Sequence, residues 1–401
     1  MSKLTYKESL EKIINLKVET TTSKVYLMDS LGKILAHDIK ALKNSPAFPT
    51  AAMDGYAINL SLNETNNEFS LVDISPAGVV VQTQIAQNNC IKTFTGSLMP
   101  KGSDTLVPIE NIEIKDNKIY IQKPVPIGFA VMGVGENYKE NEVLIPKGTK
   151  IDFAHIGVMA SLNIVFVEVF NSPIVGICST GTEILDIGEV QTNESQIRSS
   201  NHLTLEAIAK KYNCHTRQLG LIEDNKDSIS QAIKNGLSSC DIVVTTGGVS
   251  VGDYDFVKDI VIGELSADIV FKGVDIKPGM HIIVAQLGNK FICSLPGFAY
   301  SSTVTFLLYC LPIIFKFRGS YESLEILSAT AKTPYKNTTQ KTVFVASNLT
   351  YTKSNRYEID TNGKKSGTSA ILTNLLNNSV LAILEPNKCY DSGEEISFIK
   401  L

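Results

Sequence analysis

Thr245-Thr246-Gly247-Gly248-Val249-Ser250-Val251-Gly252-Asp253-Tyr254-Asp255 follows an apolar run, Asp241 to Thr245, and precedes a helical pattern from Phe256 to Ile262. A buried strand that runs into a glycine turn and then a helix is the unit of a parallel sheet. Paired glycines let backbone N–H groups approach an anion, and the start of the helix adds the positive end of a dipole. Ser250 adds a hydroxyl donor, and Asp253 and Asp255 are oxygen ligands of the kind that hold a divalent cation. The same acids would serve equally as caps on a tight turn.

Working outward, apolar runs recur at Ile174 to Cys178, His281 to Leu287 and Phe291 to Leu295. They alternate with helical patterns at His202 to Tyr212, Asp227 to Gly236 and Tyr300 to Phe315. This alternation predicts a mostly parallel sheet with helices on both faces over residues 173–318, with ligands beyond the carboxyl ends of its strands. Upstream, Tyr6 to Leu16 and Phe153 to Ser161 read as helices. Between them lie short apolar runs split by Asn, Gly, Pro and Ser, including Phe69 to Ile74, Val79 to Val81, Asp104 to Ile109 and Lys118 to Gln122. These predict an all-β region. After Arg318, five short runs (Ser328 to Lys332, Thr342 to Asn348, Arg356 to Asp360, Val380 to Leu384, Glu395 to Ile399) predict a small β domain, with one helix at Ala370 to Asn377.

The 401 residues exceed one typical core, and a composition 43% hydrophobic and 19% charged is that of ordered globular chains. A net charge of −4 argues against a broad nucleic-acid surface. The N-terminus lacks the pattern of a signal peptide, and no window is expected to span a bilayer: Tyr300 to Phe315 reads as a buried helix. Seven scattered cysteines without a C-x-x-C pair suggest reduced thiols, and the five histidines show no ligand spacing.

Six stretches carry a resemblance. Gly247-Gly248-Val249-Ser250-Val251-Gly252-Asp253-Tyr254-Asp255 is similar to a hallmark of the molybdopterin-binding fold shared by MogA-type and MoeA-type proteins. Pro46 to Ala57, with Met53-Asp54-Gly55-Tyr56-Ala57, and Thr95 to Asp104 resemble motifs of MoeA itself. So do Ser179-Thr180-Gly181-Thr182-Glu183-Ile184, Ile276-Lys277-Pro278-Gly279 and Leu295-Pro296-Gly297. In order and spacing these cover nearly the whole chain, which thus resembles the molybdopterin molybdenumtransferases, the MoeA and gephyrin E-domain type.

The resemblance implies a helical linker domain (1–25 and 140–172), a β-rich lid (26–139), a MogA-like α/β domain (173–318) and a C-terminal β-barrel (319–401). It also implies a cytoplasmic homodimer in which one subunit's lid reaches the other's site, acting among other molybdenum-cofactor biosynthesis proteins without nucleic acid or membrane. Its implied reaction takes adenylylated molybdopterin and molybdate as substrates and releases AMP with the help of Mg²⁺. Carried over, Asp255, Glu183 and Asp224 become the metal-linked acids, and Asp54 a further catalytic group. Thr95, Gly247, Gly248, Ser250, Gly252, Lys277, Pro296 and Gly297 become binding residues. As single residues, these acids and Lys277 would more often be solvated, and Met53-Asp54-Gly55 could be only a turn.

Several positions depart from the motifs: Asn137, Thr182, Ser199, Met280, Phe298 and Ala299 stand where the family carries an acid, a lysine, an asparagine or a proline. Two alternatives therefore stand beside the enzyme. One is a pterin-binding scaffold without turnover. The other is a MogA-type adenylyltransferase, which the lid and barrel regions argue against.

Overall fold

The computed structural model describes residues 3–63, 65–247, 256–320, 323–365 and 369–401, with only the backbone at position 258. It divides into two compact units. One comprises Asp38–Lys147 and Gly157–Ile164; the other runs to His37 and resumes over Gly148–Ile156 and Val165–Leu401.

Helix α1 (Tyr6–Ile14) opens on a capping box, in which Thr5 and Glu8 satisfy each other's backbone N–H groups. Within the smaller unit, β1 (Gly55–Ile58), β2 (Glu68–Ser75), β3 (Asn89–Thr93), β4 (Thr105–Pro108), β5 (Ile112–Lys115) and β6 (Lys118–Ile121) form one sheet in the order β4-β1-β3-β2-β6-β5. Strand β1 is buried on both faces. Tyr56 and Ile58 pack with Phe69, Cys90, Val107 and Ile119, whereas Ala57 packs with Ala51, Ile85, Ile91 and Leu106. The two-residue period of a strand produces this division. Gly55 is required where β1 meets β4, because a Cβ there would lie 2.3 Å from the carbonyl oxygen of Val107.

The larger unit contains the expected α/β sheet. Its strands are β7 (Ile174–Thr180), β8 (His215–Ile222), β9 (Ile242–Thr246), β10 (Asp268–Lys272), β11 (Ile283–Leu287) and β12 (Lys290–Leu295). The order is β8-β7-β9-β12-β11-β10, with the first four parallel and the last two antiparallel. Val175, Ile177, Ile242, Val244, Cys293 and Leu295 face helix α2 (Asn201–Lys211), α1 and the long helix α4 (Ala299–Phe317). Val243, Ile292, Ile283 and Ala285 face helix α3 (Lys226–Ser239) and the short helix Phe256–Asp259. Both faces are covered, so the strands read as continuous apolar runs.

Helix α4 corrects one expectation. Its 19 residues are long and apolar enough to cross a membrane by length and composition, but 89% of that stretch is buried inside the fold. Thr303 and Thr305 send their hydroxyls back to the carbonyls of Ala299 and Ser301, which satisfies them without water. A π turn at Phe306–Cys310 precedes Pro312, whose ring cannot donate to the helical ladder.

The C-terminal strands β13 (Ile326–Ala331), β14 (Thr342–Tyr351), β15 (Tyr357–Asp360), β16 (Ser379–Leu384) and β17 (Glu395–Lys400) close into a five-stranded barrel, because β14 pairs with both β15 and β16. The Ile276–Lys277 strand adds to its edge at Thr342 and Val343. Tyr300 of α4 donates its hydroxyl to the carbonyl of Phe344, 3.0 Å away.

Three other expectations fail locally. Val79 to Val81 is not a strand: β2 has already ended, and Val80 is 65% exposed with no neighbouring strand to pair with. Ala370 to Asn377 forms only a 3₁₀ turn at Leu372–Leu375. There Asn374 trades hydrogen bonds with the backbone of Lys365, and Asn377 takes φ +64°. The helix expected over Phe256 to Ile262 is α-helical only to Asp259 and continues as a π turn over Ile260–Glu264. Strand β8 was hidden in polar sequence, because a sheet edge buries little, and the short β10 was not expected either.

Gly55→Ala should destabilise the smaller unit by about 2–3 kcal/mol, since two strands must part to admit the methyl group. Hydrogen exchange in β1 and β4 should accelerate while exchange in β9 stays as it was. Unchanged protection of β1 would contradict the contact.

Candidate active site

The carboxyl ends of β8, β7, β9 and β12 lie side by side, in register from Thr180↔Ile222 to Ser179↔Thr246 and Thr246↔Leu295. The chain leaves β7 to one side for β8 and returns to the other for β9. This is the switch point at which open α/β sheets bind ligands. A cavity of about 600 Å³ opens there. Each parallel strand supplies residues just past its end or at it: Gly181 and Glu183 after β7, Asp224 after β8, Gly247 after β9, and Pro296 and Gly297 after β12.

Two glycine turns shape the floor. Gly247 has φ +95°, and a Cβ on it would fall 2.6 Å from Thr180 Oγ1 and 2.8 Å from its carbonyl oxygen. No other residue fits. Its N–H donates to the carbonyl of Leu295 at 3.1 Å. Gly297 backs onto Gly247, and its own carbonyl accepts from Asn201 Nδ2 at 2.7 Å. Beneath them Ser179 Oγ and Thr246 Oγ1 bond at 2.8 Å. Helices α2 and α4 both present their first residues, Asn201 and Ala299, to the cavity. Two positive dipole ends suit an anion.

On the opposite side stand two acids. Asp224 is half-buried, and its Oδ1 is shut away from solvent without a hydrogen-bond partner among the described residues. Burial first, and the charge of Glu183 second, hold its carboxyl above the usual carboxylate range. Glu183 is exposed on the same cavity. Arg198 completes the charged lining of this region, its guanidinium donating to the carbonyl of Asp186 at 2.7 Å.

Of the residues expected from sequence, Glu183, Asp224, Gly247, Pro296 and Gly297 meet on this cavity. Lys277 does not: it is exposed on the strand joined to Val343 and is absent from the lining. Gly248, Ser250, Gly252, Asp253 and Asp255 lie outside the described residues. Among the described residues, no three His, Cys, Asp or Glu side chains stand close enough together to hold a metal ion. In the smaller unit, Asp54 and Thr95 do meet, across 41 residues of sequence. The Thr95 N–H and hydroxyl donate to Asp54 Oδ1 at 2.8 and 2.7 Å and hold its carboxyl below the usual range. Asp104, at the end of the Thr95 motif, accepts from the N–H groups of Leu60 and Ser61 and fastens a loop.

Sequence reading missed Arg198 and His281, both on the cavity, and saw Ser199 and Asn201 only as part of a departing motif. Arg198 lies in a polar stretch without periodicity. The usable signal was its place immediately before the Ser199-Ser200-Asn201 helix start.

Residues 4–163 match the family model "MoeA N-terminal region (domain I and II)", and residues 176–316 match "Probable molybdopterin binding domain". A molybdopterin molybdenumtransferase of Staphylococcus epidermidis is 30% identical over 370 residues, 91% of this chain and 88% of its own. Another, from Haemophilus influenzae, is 30% identical over 319 residues, 79% of this chain and 78% of its own. The molybdopterin biosynthesis MoeA protein of Pyrococcus horikoshii OT3 is 25% identical and superposes with a TM-score of 0.84, with the whole of both chains covered. With its lid-region model, its pterin-binding model and relatives matched over most of their length, this chain belongs to the molybdopterin molybdenumtransferase, or MoeA, family.

Proposed function

We propose that the protein inserts molybdate into adenylylated molybdopterin with Mg²⁺-dependent release of AMP. The observation that carries this reading is the Asp224 oxygen, buried without a partner beside the charge of Glu183 on a cavity lined by two helix starts. Asp224, its proton affinity raised by burial and by the charge of Glu183 beside it, forms with Glu183 a hard-oxygen donor set short of one cation. Asp224 and Glu183 therefore fit magnesium, with Asp255 as the third acid that the family resemblance supplies. Bound there, the cation would act as a Lewis acid on the phosphoanhydride and offset its charge.

The chain's own groups do the remaining work. The N–H groups at the starts of α2 and α4, with Arg198, hold phosphate and molybdate oxygens. Gly247 and Gly297 let the ligand reach the backbone, and Asn201 keeps the Pro296-Gly297 turn in place. Asp54, held by Thr95, is proposed as a further catalytic group, and Lys277 as an oxyanion ligand. We also propose the four-domain division given above, a cytoplasmic homodimer as the working form, and action among other cofactor-biosynthesis proteins. The MogA-type reading is disfavoured, because the match includes the N-terminal MoeA region.

The direct test incubates the full chain with adenylylated molybdopterin, molybdate and Mg²⁺ and follows AMP by chromatography. Turnover is expected. Binding without turnover would leave a scaffold, and no affinity for molybdopterin in either form would end the proposal.

Asp224→Asn should lower turnover by about a hundredfold or more and erase the thermal stabilisation by Mg²⁺. The sign of its stability effect is the opposite. A carboxyl whose folded pKa is raised contributes stability that is full below its unfolded pKa and lost as pH rises through the folded value. Without Mg²⁺ at neutral pH, the Asn variant should thus melt higher than the parent, and the difference should vanish in acid. A variant that melts lower at neutral pH yet turns over normally would make Asp224 structural. Gly247→Ala should abolish pterin binding, read by fluorescence titration, because its methyl group collides with Thr180.

A further inference from the structure

Ser199 and His202, both nearly buried at 6% and 5% exposure, join with Asp186 in a chain that ends on the cavity. Ser199 Oγ lies 2.9 Å from His202 Nδ1, and His202 Nε2 lies 3.3 Å from Asp186 Oδ1. Asp186 is itself fixed, since its Oδ1 accepts from the N–H of Ile187 and its carbonyl from Arg198. The short pairing of Ile184–Leu185 with Ile197–Arg198, and the bond from the Ser199 N–H to the Leu185 carbonyl, bring the three together.

We infer that this chain couples oxyanion binding to the uptake of one proton. The inference rests on the cavity's being an oxyanion site, as proposed above. With the imidazole neutral, the Asp186 carboxylate 3.3 Å from Nε2 favours the ring proton on that nitrogen; Nδ1 then accepts from Ser199, and the serine offers only lone pairs to the cavity. When a proton from solvent enters at Nδ1, the N–H donates to Ser199 Oγ. The hydroxyl hydrogen then turns outward, and Ser199 becomes a donor to a tetrahedral oxyanion. The same wall repels the anion in one state and binds it in the other, so anion affinity and imidazole protonation rise together by linkage.

The charged surroundings are few. On α2, Glu206 is held by Lys210, Gln218 and Thr216. Strand β8 carries His215 and Arg217, β7 carries no acid or base besides the buried Cys178, and α4 has no Asp, Glu, Lys, Arg or His before Lys316. Glu183, Asp224 and Arg198 share the cavity, as does His281. Of these groups, only Asp186 is close enough to His202 for an ion pair among the described residues.

Isothermal titration of molybdate and, separately, of inorganic phosphate into the full-length protein decides the matter. It is run in two buffers of different ionisation enthalpy, on the parent, Ser199→Ala and His202→Gln. The parent should take up a fraction of a proton per anion beyond that of Ser199→Ala, a comparison that subtracts protonation of the anion itself. Its affinity should tighten roughly three- to tenfold from about pH 8 to about pH 6. Both variants should bind with a flatter pH profile, and Ser199→Ala, which removes one buried hydrogen bond, should stay folded with its melting temperature lowered by only a few degrees. The anion that shows the excess uptake names the source. Binding with equal proton uptake in parent and Ser199→Ala overturns this inference alone. Binding of neither anion overturns it together with the oxyanion reading of the cavity.

Discussion

The molecule's chemistry depends on how closely two parallel strands end beside each other. Ser179 of β7 and Thr246 of β9 are paired, and the residue after Thr246 has to turn against the Thr180 backbone with no space for a side chain. Gly247 meets that constraint through its positive φ, and everything around the cavity follows from it. A bulkier turn would displace β9 from β7, and with it Leu295, whose carbonyl Gly247 caps. The ends of β8 and β12 are registered on these two strands, so Asp224 and Pro296-Gly297 stay in place only while the Gly247 turn does.

That constraint also separates acids that hold the fold from acids kept for a ligand. Glu8, Asp54, Asp73, Asp104, Glu168, Glu206 and Glu264 all have their carboxyls lowered, each with hydrogen bonds from nearby donors among the causes. Asp224 is the one described acid whose carboxyl is raised. It is half-buried and repelled, with one oxygen enclosed and unpartnered among the described residues, which is costly for a structural residue and ordinary for a ligand-binding one. Asp54 falls between the classes: its bonds to Thr95 satisfy one oxygen and leave the exposed carboxylate available.

These differences explain what could be read in the sequence. Strands β7, β9 and β12 are mostly apolar because helices cover both sides, so they and their terminal glycines were visible, and the fold class with them. The barrel strands were equally plain. Strand β8, with its Thr-Arg-Gln segment at the sheet edge, was not, although the Gly220-Leu221-Ile222 run still led to Asp224. The pairing of Asp54 with Thr95 was legible only through motif resemblance. The meeting of Asp186 with His202 was invisible, because a loop of unpatterned polar residues makes it through a two-residue strand pairing.

Loss of a motif residue is therefore weak evidence for loss of its chemistry. Met280 stands where the family carries a lysine, and by sequence a cation has disappeared. In space, Lys3 Nζ and Lys341 Nζ lie 3.1 and 3.0 Å from the Met280 sulfur, one arriving from before α1 and the other from the edge of the barrel. Two ammonium groups thus occupy the neighbourhood of the missing one, adjacent in sequence to His281 on the cavity wall. Ser199 follows the same logic, since a carboxylate has given way to a hydroxyl backed by an imidazole and Asp186. What matters to an anion is the charge of a region rather than of a position, because it responds to the summed field of the groups around it and not to the chain position that supplies each one.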